Sequence, residues 1–301
     1  MKRKQKHKLK YLFILLILFV GTLVGGEFVF EPFENKLEET ASLPIDGSVL
    51  QVYFFDVGQA DCSLVLNQGK SMLIDGGNDK DGATITEYLK NSLGISKLDV
   101  VIATHPHADH IGGLDTIIDS FEIGEIYMPN CTSTDIQFEE LLDVIEKKNL
   151  SITVPEIDDT FTIGSAECTI MNVDNTEPEN KNLSSIVLRL AFGKQSFLFT
   201  GDSEEKNEAS RTWPKTNVLK VGHHGSDTSS SQEFLDALQP EIAIISVGRD
   251  NSYSHPKKEV LDRLQNIGAS IYRTDMDGTI LITCDGTENT ISTIEVSLEG
   301  Q

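Results

Sequence analysis

The chain has 301 residues, of which 47 are acidic and 25 are lysine or arginine, giving a formal net charge of −22. A chain of this length accommodates one domain of about 250 residues with a sizeable core. The acidity excludes nucleic-acid binding through an overall basic surface, because that affinity comes from lysine and arginine side chains that neutralise phosphates.

The N-terminus predicts export. Six of the first ten residues are basic, and the apolar run Tyr11–Val24 follows them. This run has the length of a signal-peptide core and is short for a membrane span, which needs about 20 residues. We predict that residues 1–26 are a signal peptide or membrane anchor, with the rest of the chain outside the cytoplasm in both cases. Residues 27–48, with two prolines and several acidic side chains, are predicted to be a linker before a domain over 49–301.

Strand-like and helix-like runs alternate from Val49 onward. We predict ten strands, over Val49–Phe55, Ser63–Leu66, Ser71–Ile74, Val100–Ala103, Cys168–Val173, Ile186–Ala191, Ser196–Phe199, Val218–Val221, Ile242–Ser246 and Thr279–Thr283. We predict five helices, over Ala83–Leu93, Leu114–Phe121, Phe138–Lys148, Gln232–Leu238 and Lys257–Ile267. Many strands with interspersed helices favour an α/β fold in which helices cover the sheets.

Three histidines and an aspartate follow one predicted strand within six residues. They are His105, His107, Asp109 and His110, in the sequence His-Pro-His-Ala-Asp-His. Imidazole and carboxylate are the ligands that borderline divalent metals prefer, zinc above all. Four donors exceed what so short a segment usually gives to one catalytic ion. We therefore interpret the segment as half of a two-metal site.

Further short motifs follow in order: Phe55–Asp61, Leu73–Gly77, Phe199–Asp202, Leu219–Ser226 and Asn251–Pro256. With the histidine segment they resemble the metallo-β-lactamase superfamily, and within it the C-terminal hydrolase domain of the ComEC DNA-uptake channel and its stand-alone relatives. The resemblance covers about Val49 to Val296 and does not extend to the ComEC channel. It implies a four-layer αββα sandwich, with the metal-binding loops at one edge of the two sheets.

The resemblance also implies a ligand set for two divalent ions, which we expect to be zinc, with manganese as the alternative. His105 and His107 are expected to hold one ion, and Asp109 and His110 the other. Asp202 is expected to bridge the two ions, a suitable use of a ligand with two oxygens. Many superfamily members have a further histidine before this bridging aspartate.

No histidine lies between His110 and His223, and Asn182 matches the position at which ComEC-like domains carry asparagine. We expect it to be a neutral oxygen ligand of the first ion. For the second ion we prefer His223 over His224, which would then face the substrate; the reverse assignment stays open. We count Asp109 and His224 also among the catalytic residues.

Four residues are expected to support the site without binding metal. Asp75 ends a strand, where a carboxylate orients ligating histidines or the attacking water. Asp56 and Asp61 are expected to fix loops as hydrogen-bond acceptors. The resemblance makes His255 a catalytic residue that contacts phosphate or protonates the leaving group, a role suited to imidazole near neutral pH.

The four cysteines are widely spaced, with no Cys-x-x-Cys pair, and are predicted to be buried thiols. They are Cys62, Cys131, Cys168 and Cys284. An exported context permits a disulfide between them but does not require one.

Two ions that share a water lower its pKa toward neutrality and can hold an oxygen that gains charge. We therefore predict a metal-dependent hydrolase acting on a phosphodiester, with nucleic acid as the substrate by analogy with ComEC. The alternatives are a phosphorylcholine-esterase-like enzyme on surface polymers, a β-lactam hydrolase, and a non-catalytic metal-containing binding module. The expected partners are the substrate and, if the N-terminal segment is uncleaved, the membrane; no obligate protein partner is expected.

Overall fold

The computed structural model describes residues 21–24, 27–30 and 49–294, and the chain divides into the units Met1–Leu43 and Pro44–Gln301. In the first unit, strands β1 (Gly21–Val24) and β2 (Glu27–Phe30) form an antiparallel pair. Apart from these two strands, the predicted leader and linker lie outside the described residues, and both stay predictions. Within the described ranges, no helix combines the length and apolar character that crossing a membrane requires.

The second unit contains fifteen strands and eight α-helices among its described residues. The strands are β3 (Leu50–Phe54), β4 (Ser63–Asn67), β5 (Lys70–Ile74), β6 (Lys97–Ile102), β7 (Glu122–Tyr127), β8 (Ile152–Thr153), β9 (Thr160–Ile163), β10 (Ala166–Asn172), β11 (Val187–Phe192), β12 (Gln195–Phe199), β13 (Val218–Lys220), β14 (Ile242–Ile245), β15 (Ser270–Arg273), β16 (Thr279–Cys284) and β17 (Asn289–Ile294). The helices are α1 (Gly82–Glu87), α2 (Ala108–Ile111), α3 (Leu114–Ser120), α4 (Ile136–Lys147), α5 (Glu205–Glu208), α6 (Gln232–Leu238), α7 (Lys258–Asn266) and α8 (Thr274–Asp277).

The strands form two sheets that pack face to face. One sheet has eight strands in the order β17-β16-β3-β4-β5-β6-β7-β8, and the other has seven in the order β15-β14-β13-β12-β11-β10-β9. A central apolar cluster joins the two sheets, with Phe54 and Ile102 from one and Phe199 and Ile244 from the other. Burial of apolar surface between the sheets is the main force that holds such a sandwich together.

Helices cover the outer face of each sheet. Leu114 of α3 and Leu141 of α4 pack in one cluster with Leu73 of β5. On the other side, Phe234 of α6 packs in a second cluster with Leu219 of β13. The layers are therefore helix, sheet, sheet and helix, and the predicted four-layer αββα sandwich is confirmed.

Parallel pairing places the functional loops at one edge of each sheet. Strands β5, β6 and β7 run parallel, and so do β12, β13, β14 and β15. In α/β sheets, ligands bind outside the carboxyl ends of such strands. The predicted site residues follow these ends: Asp75 after β5, His105 after β6, Asp202 after β12 and His223 after β13.

All ten predicted strands and all five predicted helices are present, with shifts of a few residues at their ends. The helix predicted over Ala83–Leu93 is α1 followed by a π-helical turn over Tyr88–Ser92. In the second unit the prediction missed five strands, β7, β8, β9, β15 and β17, and it did not include β1 and β2 of the first unit. The four cysteines are buried free thiols, as the sequence predicted.

Candidate metal centre

Asp202 lies at the centre of the site, and its two carboxylate oxygens face different groups of histidines. Oδ2 is 3.8 Å from His105 Nε2 and 3.6 Å from His223 Nε2. Oδ1 is 3.1 Å from His110 Nε2 and 3.7 Å from His224 Nε2. The carboxylate is 2% exposed. It therefore connects two sides of one buried cluster, in agreement with the bridging role that the resemblance implies.

Two sets of metal-ligating side chains surround this carboxylate. His105, His107 and Asp202 form the first set, here called the His107 triad, in which His105 Nε2 and His107 Nδ1 are 2.9 Å apart. Asp109, His110 and His224 form the second set, here called the His110 triad, in which His224 Nε2 and Asp109 Oδ2 are 3.3 Å apart. In each set the donor atoms lie within 4.8 Å of one another, close enough to share one ion.

A tight turn after β6 brings the histidine segment together. His107 has an extended backbone, and the short helix α2 begins at the next residue. Gly112 ends this helix against the neighbouring loop, where an added Cβ would lie 2.5 Å from the backbone nitrogen of Asp79. Only a residue without a side chain fits this approach. The glycine pair after the motif thus packs α2 against the loop that follows β5.

The His110 triad is fixed from behind by hydrogen bonds to the other imidazole nitrogen. His110 Nδ1 is 2.8 Å from Asp75 Oδ2, and Asp75 also accepts hydrogen bonds from the backbone and hydroxyl of Thr104. His224 Nδ1 is 2.9 Å from the carbonyl oxygen of Ser246. Because each Nδ1 faces an acceptor and donates its proton there, each Nε2 keeps its lone pair for a metal. Asp75 thus has the orienting position that the sequence predicted.

The structure places His224, and not His223, beside Asp109 and His110. The sequence analysis preferred His223 as the ligand of the second ion, and the observed geometry differs from that preference. Both residues have left-handed backbone conformations, with φ of 50° and 53°, which non-glycine residues rarely adopt. This turn sends His224 into the core, where its side chain is 2% exposed, and leaves His223 24% exposed. His223 contacts the same Asp202 oxygen as His105 does, on the side of the His107 triad.

A polar network surrounds His223 and Asn182. Glu204 Oε1 accepts a hydrogen bond from Asn182 Nδ2 at 2.9 Å and lies 3.5 Å from His223 Nδ1. Thr228 Oγ1 donates to the same oxygen and is 3.1 Å from His223 Nδ1. Since Glu204 engages the nitrogen of the Asn182 amide, the Oδ1 atom is free, and it is buried without a hydrogen-bond partner among the described residues. An oxygen is therefore available at position 182, and its role as a ligand stays a prediction.

The predicted loop-fixing aspartates take different positions. Asp56 Oδ1 accepts the backbone N–H of Gly58 and fixes the loop between β3 and β4. Asp61 forms a buried ion pair with Lys220, and its oxygens lie 3.8 Å from the Nδ1 atoms of His110 and His224. Asp61 therefore lies beside the Nδ1 atoms of two imidazoles whose Nε2 atoms belong to the candidate metal site. The sequence reasoning missed Lys220, although a lysine in an apolar strand signals that a buried partner is needed.

His255 lies in the open cleft above the two triads. Its ring centroid is 5.8 Å from that of His223 and 5.6 Å from that of Tyr253. The cleft has a volume of about 340 Å³ and is lined by His107, Asp202 and His224 as well. Burial first, and then the neighbouring His223 and His224, lower the pKa of His255 to about 4. Its imidazole is therefore neutral at physiological pH.

Buried polar atoms that form no hydrogen bond of standard geometry show that the residues fit metal ions. Among the described residues, four such atoms belong to the ligand set: Asp202 Oδ1, His110 Nε2, His224 Nε2 and Asn182 Oδ1. Burial opposes the ionised form of Asp202, yet the charges of His110 and His224 hold its pKa well below the usual range. Burial also opposes protonation of His110, yet Asp202 and Asp75 raise its pKa well above the usual range. The cluster thus stabilises positive charge between these side chains, as a divalent cation requires.

The chain is similar in sequence to known proteins. ComE operon protein 3 of Bacillus subtilis (strain 168) is 32% identical over 251 residues, covering 76% of this chain and 32% of that protein. Recombination protein 2 of Haemophilus influenzae is also 32% identical over 251 residues, covering 77% of this chain and 28% of that protein. The chain thus spans about a third of the length of these relatives.

A solved structure of the metallo-β-lactamase fold protein YhfI from Bacillus subtilis superposes with a TM-score of 0.53 at 15% identity. The superposition covers 78% of this chain and 99% of that one, and it shows the fold alone. The model of the metallo-β-lactamase superfamily matches residues 55–249. The motifs, the four-layer fold and these matches agree, and the chain belongs to the metallo-β-lactamase superfamily.

Proposed function

We propose that this protein is a metal-dependent phosphodiesterase that acts outside the cytoplasm. The observation that carries the proposal is the pair of triads around Asp202, in each of which the imidazole and carboxylate donor atoms lie within 4.8 Å of one another. Two divalent ions at such a site supply a hydroxide near neutral pH and a positive surface for an oxygen that gains charge. Zinc suits these imidazole and carboxylate donors, and manganese is the alternative.

The roles of this chain's residues follow from their positions. Asp75 and Ser246 hold the Nδ1 protons of His110 and His224, so that both Nε2 atoms face the cluster and are the atoms that would bind a metal ion. Asp109 and His224 reach the cleft surface beside Asp202, where they position the group that attacks the substrate. His223 and His255 also line the cleft. They are placed to donate hydrogen bonds to the non-bridging oxygens of a phosphate.

Two features favour a phosphodiester over other substrates. The two relatives at 32% identity have names that refer to the com operon and to recombination, which agrees with a substrate related to nucleic acid. The cleft places the neutral imidazole of His255 beside the triads, and this ring can contact an anionic phosphate without the overall basic surface that this acidic chain lacks. Nucleic acid is accordingly the first substrate to test.

The decisive experiment compares substrates on the full chain loaded with zinc or with manganese. Single-stranded DNA, bis(p-nitrophenyl) phosphate, a phosphorylcholine ester and a chromogenic β-lactam are assayed side by side. We expect metal-dependent hydrolysis of single-stranded DNA and of bis(p-nitrophenyl) phosphate, abolished by Asp202→Ala. Preference for the phosphorylcholine ester, itself a phosphodiester, would replace nucleic acid as the substrate, and preference for the β-lactam would replace the proposed reaction. Full metal content without hydrolysis of any substrate would favour a binding module.

The proposed location rests on the basic N-terminus followed by the apolar run Tyr11–Val24. A fusion of alkaline phosphatase to the C-terminus tests it, since this reporter is active only after export. We expect activity with the full chain and its loss when residues 1–26 are deleted. Detection of the reporter in the membrane fraction or in the medium distinguishes an anchor from a cleaved signal peptide. An inactive full-length fusion would contradict export.

A further inference from the structure

Tyr253 presents an exposed aromatic ring at the rim of the metal cleft. The residue is 62% exposed, and it lines the same cleft as Asp202 and His224. An aromatic ring in this position gains little from burial, which is the main contribution of aromatic residues to stability. Its exposure therefore favours a role in contacting a ligand.

A series of ring contacts leads from Tyr253 to the triads. The Tyr253 and His255 rings are stacked, with centroids 5.6 Å apart and an angle of 26° between their planes. His255 in turn meets His223 edge to face at 5.8 Å, and His223 Nε2 is 3.6 Å from Asp202. A group that lies on Tyr253 is thus next to a phosphate that contacts His255 and His223.

The loop that carries Tyr253 is held by hydrogen bonds. Asn251 Nδ2 donates to the carbonyl oxygens of Gly248 and His255, and Asn251 Oδ1 accepts the backbone N–H of His255. Lys257 Nζ donates to the carbonyl oxygen of Tyr253 at 2.8 Å. The exposed ring is therefore presented by a fixed backbone, so that a ligand loses little conformational freedom of the protein on binding.

We propose that Tyr253 is a substrate-positioning residue that stacks on a nucleobase adjacent to the scissile phosphate. This inference rests on the proposed phosphodiesterase function. Stacking suits this chain because it does not depend on basic side chains, which are few here, and because every base offers a flat face. Recognition of a quaternary ammonium group takes a cage of several aromatic rings. Among the described residues that line the cleft, Tyr253 is the one phenyl-type ring.

The test compares two single-stranded oligonucleotides that differ only in whether a base or an abasic analogue flanks the cleaved phosphate. The full, metal-loaded chain is assayed as wild type, Tyr253→Leu and Tyr253→Phe. We expect wild type to prefer the base-bearing oligonucleotide, and Tyr253→Leu to lower the ratio of the two kcat/KM values roughly 5- to 100-fold, the scale of one base–aromatic contact. Tyr253→Phe keeps the flat face and should keep the ratio. Met276→Leu, at an exposed position that does not line the cleft, is the matched control and should also keep it.

Binding measured by fluorescence anisotropy, under conditions without turnover, separates this inference from the proposed function. If the wild type binds the base-bearing oligonucleotide more tightly and Tyr253→Leu loses this preference, stacking is supported even when no hydrolysis occurs. If the wild type treats the two oligonucleotides alike, or Tyr253→Leu weakens both to the same extent, the inference is wrong. Preferential binding of phosphorylcholine that Tyr253→Leu removes would also overturn it. Metal content should be the same in all variants, which excludes an indirect effect on the triads.

Discussion

The His110 triad and the His107 triad share Asp202, but the protein holds them differently. His110 and His224 are buried, and their Nδ1 atoms are fixed at 2.8 and 2.9 Å by Asp75 and the Ser246 carbonyl. His107 is partly exposed, and the residues next to this triad are Asn182 and His223, whose side chain is 24% exposed.

We call the His110 triad the closed half, since both of its imidazoles are buried. We call the His107 triad with His223 and Asn182 the open half, since His107 and His223 are partly exposed and line the cleft, although His105 is buried. We expect the closed half to retain its ion more tightly and the open half to meet the substrate. Each prediction below tests this difference.

The largest effect is expected from Asp202→Ala, because Asp202 contacts both halves and its loss should remove the difference between them. Metal content should fall from about two ions per chain to below one. Activity on a chromogenic phosphodiester should fall roughly 10⁴-fold, since metal ions contribute several kcal/mol of charge stabilisation. Elemental analysis and initial rates measure both quantities, with the exposed Asp143→Ala as control. Unchanged metal content in Asp202→Ala would refute the shared-carboxylate arrangement.

His255→Ala tests whether the open half contacts the substrate. We expect the rate to fall about 10²- to 10⁴-fold, the range for loss of a catalytic imidazole, with metal content unchanged. The pKa of His255 is lowered to about 4, so the ring is neutral above that pH. The ratio of wild-type to variant rates should therefore be flat between about pH 5 and pH 8.

A substrate with a better leaving group should not rescue His255→Ala, because at pH 7 only about one molecule in a thousand carries the proton. Rescue by such a substrate would show instead that His255 protonates the leaving group. Loss of one ion in this variant would show that His255 is a metal ligand.

Asp75→Asn should weaken the closed half alone. The substitution keeps the shape of the side chain but removes the charge that receives the Nδ1 proton of His110. Loss of such a supporting carboxylate usually costs about 10- to 100-fold in metal affinity. Competition with a chelator should show one ion released more easily while the other keeps its affinity. Equal weakening of both ions would mean that the two halves are not held independently.

The smallest effect is expected from Glu204→Gln in the open half. Glu204 orients Asn182 and His223 together with Thr228, so that the variant loses part of a shared network. We expect about a 2- to 10-fold increase in KM, the size of one hydrogen bond, and retention of both ions. A larger loss of metal affinity than in Asp75→Asn would reverse the proposed ranking of the two halves.

The candidate ligands could be identified from the sequence because metal chemistry requires particular side chains in short segments after strands. His105, His107, Asp109, His110 and Asp202 all lie where the motifs placed them. The choice between His223 and His224 could not be made in this way. It depends on two consecutive left-handed residues, a backbone property that a Gly-His-His-Gly segment does not specify.

The contacts that orient the candidate ligands could not be predicted from the sequence, for a different reason. The partner of His224 is a backbone carbonyl of Ser246, so no side chain marks it. The missed strands have weak patterns: β7 carries Gly124 and three exposed positions, and β17 is an edge strand without a fully buried residue. The ten predicted strands favoured an α/β fold with helices over the sheets, and the family resemblance implied the four layers. The contacts between those layers require the folded structure.

The ion pair between Asp61 and Lys220 joins the two sheets, since Asp61 precedes β4 of one sheet and Lys220 belongs to β13 of the other. The two sheets can therefore not be exchanged independently of each other. A chimaera that takes one sheet from a relative must carry a partner of matching charge at the corresponding position. Otherwise one buried charge is left without its partner, at a cost of roughly 3–5 kcal/mol. Exchange of sheets between members of this family is thus constrained at the edge of the sandwich where the candidate metal ligands lie.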